Sequence, residues 1–229
     1  MQRTRTFHRL TVVAAGAAAV LALSVGPASA ASDYDINAPA TGTTAVTATG
    51  SGLILEDTYL GPFGTSGNTR IIGCALSASG AADNGGHAFT AGTVVTDAAV
   101  RLDPTAASFT GCDQPSLFGP VSLTPAPGSS WRLGLRTKTA TGGAAVLSGL
   151  ALRLRGTAGS AYCQADLSGY LQGTYDDATG TFTIDRTVAG LTFDTVTGTG
   201  ALCNTIGIVE GDPGAFSGTI DLTPAPDVS

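Results

Sequence analysis

The amino-acid sequence predicts an all-β protein: an antiparallel β-sandwich-like fold with two related halves, stapled by disulfides. Three observations predict it. Only 12% of the residues are charged, while Gly, Thr, Ala and Val are abundant, a composition that favours short strands and turns over helices. Several segments alternate apolar and polar residues with the period of a half-buried strand. Four cysteines occur in a chain whose first thirty residues predict export, which favours disulfides.

The first thirty residues are typical of a secretory signal peptide. Arg3, Arg5 and Arg9 precede an apolar run at 10–25, and Ala28-Ser29-Ala30 ends the segment. A basic start, a short apolar centre and a small-residue site are the features of a signal peptide. The apolar run is shorter than the ~20 residues of a membrane span. We therefore predict cleavage after Ala30, secretion, and no transmembrane span in the mature chain.

The remainder of the chain is acidic. Residues 31–229 contain 8 basic and 17 acidic side chains, a net charge of 8 − 17 = −9. Such a protein repels the phosphates of DNA and RNA, so we expect no nucleic-acid partner. No sequence feature implies a cofactor. We divide this region into a flexible acidic arm (31–42), a first β half (43–130) and a second β half (131–229).

Two hairpins are the clearest predicted elements. In the first, polarity alternates over 131–138 and again over 146–155. In the second, strands at 167–175 and 181–188 flank a turn that starts at Asp176 and ends at Gly180, which suits a type I turn with a left-handed exit. The remaining predicted strands cover 43–56, 70–77, 88–95, 98–102, 116–124, 191–197 and 215–223.

The two halves share sequence features that indicate a duplicated unit. The segment 118–127 is similar to 216–226, and Ser51-Gly52-Leu53 recurs as Ser148-Gly149-Leu150. Chance similarity in so repetitive a composition is the alternative.

The four cysteines allow three disulfide pairings. If the halves are copies, Cys74–Cys112 with Cys163–Cys203 is the pairing that respects them. A redox or metal site is disfavoured, because no Cys-x-x-Cys occurs and His87 is the only histidine after residue 30.

One set of residues in the second half forms a recognisable pattern. It comprises Pro127, Trp131-Arg132-Leu133, Cys163 to Gly169, Gly173-Thr174-Tyr175, Thr179-Gly180, Cys203 and Gly211 to Thr219. With these residues, the chain from Trp131 onward resembles a group of small, uncharacterised exported proteins from Gram-positive bacteria. The resemblance implies an exported β-sandwich-like fold. It carries no known activity and no site residues to transfer.

His87 is the candidate catalytic residue. It follows Asp83-Asn84-Gly85-Gly86, which is a turn sequence, so we interpret it as a solvated histidine at a loop–strand junction. A secreted hydrolase that uses His87 with nearby carboxylates is the alternative function. The chain contains no Gly-x-Ser-x-Gly nucleophile motif, and we predict no catalytic residue.

Acidic pairs offer weaker candidates for chemistry. Neighbours such as Glu56-Asp57 point to opposite sides of a strand, and Asp176-Asp177 is explained by its turn. The segment from Asp33 to Asn37 matches the first ligand positions of an EF-hand loop, but the required Gly and Glu are missing. We interpret it as part of the flexible arm, with weak calcium binding at Asp33 and Asp35 as the alternative.

The most unusual predicted surface is basic. Its members are Arg132, Arg136, Lys138, Arg153 and Arg155, five of the 8 basic residues after residue 30. Alternation places them on one side of the first hairpin. This is either a solvated face that discourages edge-to-edge aggregation or a binding surface for an anionic cell-wall polymer or an acidic protein. We therefore expect a secreted, non-catalytic binding or cell-surface-associated module.

Overall fold

The computed structural model describes residues 32–57, 69–113, 119–199, 202–203 and 207–229. Within these residues, twelve strands join through antiparallel pairings into one sheet, which confirms the all-β prediction. No helix of the described part is long and apolar enough to cross a membrane. The predicted signal peptide, 1–30, lies outside the described residues. The strands are β1 (Tyr34–Ile36), β2 (Gly42–Asp57), β3 (Thr69–His87), β4 (Val100–Leu102), β5 (Ser108–Asp113), β6 (Val121–Pro125), β7 (Arg132–Leu135), β8 (Gly142–Ala158), β9 (Ala161–Asp176), β10 (Thr181–Ile184), β11 (Leu191–Gly198) and β12 (Pro213–Thr223).

The strands pair in one linear order, and some strands that are far apart in this order also pair with each other. The order is β10–β9–β11–β12–β2–β3–β4–β7–β8–β6, and β9 additionally pairs with β8 along most of its length. One continuous cluster of buried apolar side chains includes Leu55 and Ile72 from the first half and Leu152 and Phe193 from the second. Because the core is shared, residues 31–229 form one compact unit. These pairings show neither two stacked sheets nor two separate halves. The sandwich and the two related halves therefore remain predictions.

A bulge interrupts the alternation in each long hairpin. The register shifts between Gly50 and Leu53 in β2, and between Leu147 and Leu150 in β8. Strict alternation from residue 146 to 154 was therefore wrong at this point. Because the bulge inserts an extra residue, Leu147 and Leu150 are both buried, whereas a period of two would place them on opposite faces.

The segment 88–99 was predicted to be mostly strand, and only its continuation at Val100–Leu102 forms one. Its apolar residues Val95 and Ala98 pack instead against Val146 on the outer side of the sheet. They are buried by lying across the sheet rather than by pairing within it. In contrast, β5 was not predicted, because its residues are half-buried or exposed and give little hydrophobic alternation.

The predicted flexible arm is wrong for residues 34–36, which form β1. This strand pairs with β3 on one side. On its other side the carboxyl-terminal segment lies alongside, with a bridge between Ile36 and Val228 and reciprocal backbone hydrogen bonds of 2.9 and 3.0 Å between Asp35 and Ser229. Tyr34 and Ile36 are each 2% exposed. Their burial stabilises a short strand whose neighbouring acidic residues indicated an arm.

Both disulfides expected from related halves are present. Cys74–Cys112 joins β3 to β5, and Cys163–Cys203 joins β9 to the segment after β11. Their positions in the hairpins differ, since Cys74 pairs with Leu53 beside the β2 bulge while Cys163 pairs with Gly156 near the end of β8. Both hairpins have a bulge at the corresponding position, which favours a duplicated unit. The cysteines lie at different positions relative to these bulges, which does not favour it. Two disulfides are typical of an oxidising, extracellular setting.

Candidate functional site

The candidate site lies on the outer side of β7, β8 and β9, where residues 88–99 (the covering loop) cross the sheet. The Thr90 amide donates to the Leu135 carbonyl oxygen at 2.7 Å, and the Val95 amide donates to Ser148 Oγ at 3.1 Å. Val95 and its neighbours form a second small apolar cluster against which Tyr170 packs. Backbone hydrogen bonds and apolar contacts together fix the covering loop to the sheet.

Two grooves of about 380 Å³ each open on this side. The first, called here the Arg132 groove, is lined by Val94, Ser130, Arg132 and Tyr170, among others. Val94, at the tip of the covering loop, is 68% exposed. One wall of this groove is therefore part of the covering loop.

The second groove, called here the Arg136 groove, is lined by the polar residues Arg136, Gln172, Thr174, Thr183 and Asp185 together with Ala144, Ala145, Gly173 and Ile184. On β8 it reaches Ala145, whereas the Arg132 groove begins at Ser148. The two arginines are four residues apart in sequence, which corresponds to ~13 Å along an extended chain. The grooves are thus separate concavities on neighbouring parts of one surface.

Of the five predicted basic residues, Arg153 is already paired with a carboxylate. Its Nε and Nη2 donate to the two carboxylate oxygens of Asp166 at 2.6 and 2.8 Å. The hydrogen bond and the charge of Asp166 raise the pKa of Arg153, and the same hydrogen bond holds the pKa of Asp166 below its usual range. The neighbouring Arg155 lies over the Tyr162 ring, 5.7 Å from its centroid.

The other three basic residues are exposed at the opposite end of the hairpin. Arg132, Arg136 and Lys138 form no ion pair with any residue in the described part of the chain. Arg132 is the cross-strand partner of Arg101, whose Nη2 lies 3.4 Å from the Asp83 carboxylate. Cross-strand partners project to the same side of a sheet, so the unpaired guanidinium of Arg132 lies on the same face as that of Arg101, which is already paired with Asp83. The predicted basic face is thus divided into two groups, of which this one is open to an anion.

His87 is buried, contrary to the prediction of a solvated histidine. It is 4% exposed, and its ring stacks on Tyr34 with centroids 5.6 Å apart. Its Nδ1 lies 2.8 Å from Asp97 Oδ1, and its Nε2 lies 2.7 Å from the backbone carbonyl oxygen of Asp83. The sequence missed this environment because the covering of His87 comes from β1 and from the covering loop, both of which were assigned other structures.

The geometry around His87 does not suit a hydrolase. A His–Asp pair serves as a general base when the second ring nitrogen faces a nucleophile. Here that nitrogen, Nε2, is engaged by a backbone carbonyl oxygen. With both nitrogens bonded and the ring stacked under Tyr34, the side chain has no direction from which to accept a proton from a substrate or a serine.

The Asp97 carboxylate accepts a second hydrogen bond, from the Ala88 amide at 2.8 Å. Partial burial by itself raises the pKa of Asp97, but hydrogen bonds from Ala88 and His87 and the charges of His87 and Arg101 outweigh it, so the pKa is lowered overall. Asp97 is therefore held in the ionised form and ties the two ends of the covering loop together.

Two further carboxylates accept hydrogen bonds from backbone amides. Asp33 Oδ2 accepts from the Phe89 amide at 2.7 Å, and Asp176 Oδ1 accepts from the Thr179 amide at 3.2 Å within its turn. In the described ranges, no three His, Cys, Asp or Glu side chains are grouped to hold a metal ion. Asp33 and Asp35 do not belong to such a group.

The chain matches no protein-family model, and it is not significantly similar to any curated protein or to any solved structure. The proposal for its function therefore depends on the chemistry of its own surface.

Proposed function

We propose that the protein is an exported, non-catalytic module that binds an extended anionic polymer of the cell surface through the Arg132 and Arg136 grooves. One observation carries the proposal: each groove is lined by an arginine that has no ion pair among the described residues. A guanidinium group donates bidentate hydrogen bonds to phosphate or carboxylate oxygens. In a region of net charge 8 − 17 = −9, these sites attract an anion against the general field.

The spacing of the two arginines favours an extended ligand. At ~13 Å along the chain, one compact anion does not bridge them, whereas a polymer with regularly repeated phosphate or carboxylate groups does. The hydroxyl and amide groups of Ser130, Gln172 and Thr183 line the same grooves and suit hydrogen bonding to a hydroxyl-rich backbone. We favour a flexible chain over a folded acidic protein because the arginines lie in concavities that a thin chain enters.

Export and the absence of catalysis complete the proposal. The two disulfides support an extracellular location. The alternative of a hydrolase requires His87 to act as a base, and the bonding of both of its ring nitrogens argues against that role.

The test compares single and double replacements of the groove arginines. Arg132→Ser, Arg136→Ser and the double variant are titrated with poly(glycerol phosphate) and with polygalacturonate, and with neutral dextran as the ligand control. Arg155→Ser is the matched variant, because it removes the same charge from an exposed site outside both grooves. We expect the double variant to lose at least about tenfold in affinity, the effect of one charge-assisted hydrogen bond, and Arg155→Ser to stay within about twofold.

Equal weakening by Arg155→Ser and the groove variants would indicate a diffuse charge effect and contradict the groove assignment. Unchanged binding by the double variant would contradict it as well. Binding to acidic proteins but to neither polymer would overturn the choice of ligand class. Preference for one of the two polymers assigns the anion as phosphate or carboxylate.

A further inference from the structure

The carboxylate of Asp97 joins the two ends of the covering loop. Asp97, near its end, accepts hydrogen bonds from the Ala88 amide at its beginning and from the His87 ring that precedes it, each at 2.8 Å. The tip of the same loop, at Val94 and Val95, forms a wall of the Arg132 groove. The contact at the base of the loop therefore positions the wall of the candidate binding site.

Both ring nitrogens of His87 face oxygen atoms that only accept hydrogen bonds. One is the Asp83 backbone carbonyl oxygen and the other is an Asp97 carboxylate oxygen. A neutral imidazole has one N–H and one lone pair, so it satisfies one of these contacts and places a lone pair against an oxygen in the other. Only the doubly protonated imidazolium satisfies both.

We propose that His87 and Asp97 form a proton-controlled latch that holds the covering loop against the sheet in acid and loosens as the histidine deprotonates, so that the Arg132 groove binds its anionic ligand more tightly at low pH. The ligand part of this inference rests on the proposed function, while the latch itself does not. Histidine is the side chain whose ordinary pKa allows a change of charge near neutral pH, so the latch is tested between about pH 5 and pH 8.

Charged and titratable side chains approach His87 from several elements besides the covering loop. Asp33, which precedes β1, binds the covering loop at the Phe89 amide. Asp83 on β3 is paired with Arg101 on β4. Tyr34 on β1 is uncharged in this range, because burial raises its pKa despite the hydrogen bond from the Leu135 amide, and Asp97 and Asp33 raise it further. Asp35 lies opposite Gly86, next to His87 in β3.

The first experiment measures the protonation of His87 and the exchange protection of the covering loop without any ligand. Nitrogen NMR of the histidine side chain, with residues 31–229 produced by cleavage of the signal, reports how many protons the ring carries. We expect two protons at about pH 5.5, and, on raising the pH to about 8, loss of hydrogen-exchange protection at the Ala88 and Val95 amides beyond the ordinary base-catalysed increase. A neutral ring at the lower pH, or protection that does not change, would overturn the latch.

A variant separates this latch from general pH effects. Asp97→Asn removes the charge that retains the second proton and places an amide group where the Ala88 amide donates. We expect its loop amides to be poorly protected at both pH values, with the pH dependence reduced by about threefold or more. If Asp97→Asn does not fold, the wild-type NMR and exchange measurements still decide the matter.

The second experiment measures binding of poly(glycerol phosphate), whose phosphodiesters stay ionised throughout, at about pH 5.5 and about pH 8. We expect the affinity of the wild type to fall by about threefold or more over this interval, and that of Arg132→Ser to change much less. If NMR shows that the covering loop opens at the higher pH but the affinity for the polymer does not change, the proposed effect of the latch on the Arg132 groove is wrong. Lack of binding at both pH values would contradict the proposed function. The latch would then be judged by the NMR and hydrogen-exchange measurements alone.

Discussion

The hydroxyl group of Tyr175 donates a buried 2.8 Å hydrogen bond to the carbonyl oxygen of Pro226. Tyr175 lies near the end of β9 and is 4% exposed, while Pro226 belongs to the carboxyl-terminal segment that follows β12. Two residues later, Val228 bridges to Ile36 of β1. One side chain from the second half thus fixes the terminal segment that covers the first strand.

Tyr175→Phe tests how much this hydrogen bond stabilises the protein. The variant keeps the ring but leaves the Pro226 carbonyl oxygen without its donor, so we expect the free energy of unfolding to fall by about 1 kcal/mol. Urea denaturation followed by fluorescence measures it. Tyr170→Phe is the matched control, because no described residue accepts a hydrogen bond from its hydroxyl; a loss as large in the control would exclude the Pro226 contact as the cause.

Two buried tyrosines predict a loss of stability in alkali. Burial, reinforced by the charges of Asp177, Asp176 and Asp227, raises the pKa of Tyr175, and burial raises that of Tyr34. Above about pH 10 the unfolded chain releases tyrosine protons that the folded protein retains. The contribution of these tyrosines to the free energy of unfolding is therefore fully present below that pH and is lost as the pH rises. Urea denaturation from about pH 9 to pH 11 measures the slope. Tyr175→Phe should reduce it, and an unchanged slope would contradict the assignment to Tyr175.

The strand content could be predicted because alternation is a local property. The strands β2, β11 and β12 lie close to their predicted bounds. The turn between β9 and β10 is also where it was predicted, but β9 begins at Ala161 rather than at 167, and β10 ends at Ile184 rather than at 188. The long pairing of β8 with β9 was missed, since its turn at 159–160 was not recognised. The bulge at Gly149 was missed because Ser-Gly-Leu is equally compatible with an ordinary strand; only the pairing shows that one residue is left over.

The candidate site could be predicted in part. Local alternation placed Arg132 and Arg136 outward, since their neighbours Leu133 and Leu135 are buried. It did not reveal that Arg153 is bound by Asp166, because that contact depends on the register of β8 with β9. The burial of His87 depends on segments distant in sequence, and periodicity carries no information about such contacts.

The ion pair of Arg153 and Asp166 predicts a defined acid dependence. The hydrogen bond from Arg153 lowers the pKa of Asp166 more than its partial burial raises it. The resulting stabilisation is present above the unfolded-state value of about 3.9 and is lost as the pH falls through the lower folded-state value. We expect Asp166→Asn to be less stable than the wild type at neutral pH and equal to it in strong acid, as measured by thermal unfolding across pH.

Asp194→Asn provides the charge-matched control for that series, since Asp194 is exposed on β11 and has no ion pair within the described ranges. It should follow the wild-type profile. A loss at neutral pH that is equal in Asp194→Asn and Asp166→Asn would show that net charge, and not the bidentate pair, is responsible.

The two bulges provide a matched pair of glycine substitutions. Gly52 and Gly149 occupy corresponding positions and have left-handed φ values of 63° and 72°. A Cβ added at Gly52 meets no atom within 4 Å, whereas one added at Gly149 collides with the backbone carbonyl oxygen of Ser130. Gly52→Ala should therefore cost only the conformational term of about 1–2 kcal/mol, and Gly149→Ala should cost roughly 1–3 kcal/mol more because the backbone must move.

Chemical denaturation of both variants measures this difference directly, since the change in φ preference is shared and cancels between them. If Gly149→Ala fails to fold while Gly52→Ala folds, the loss of stability is again larger at Gly149, as expected. Equal losses would mean that the 129–131 segment shifts freely away from β8. The Ser130 amide donates to the Gly149 carbonyl oxygen at 2.8 Å, and Trp131 beyond it is 2% exposed. Because the neighbouring core side chain anchors this segment, we expect the collision to be costly.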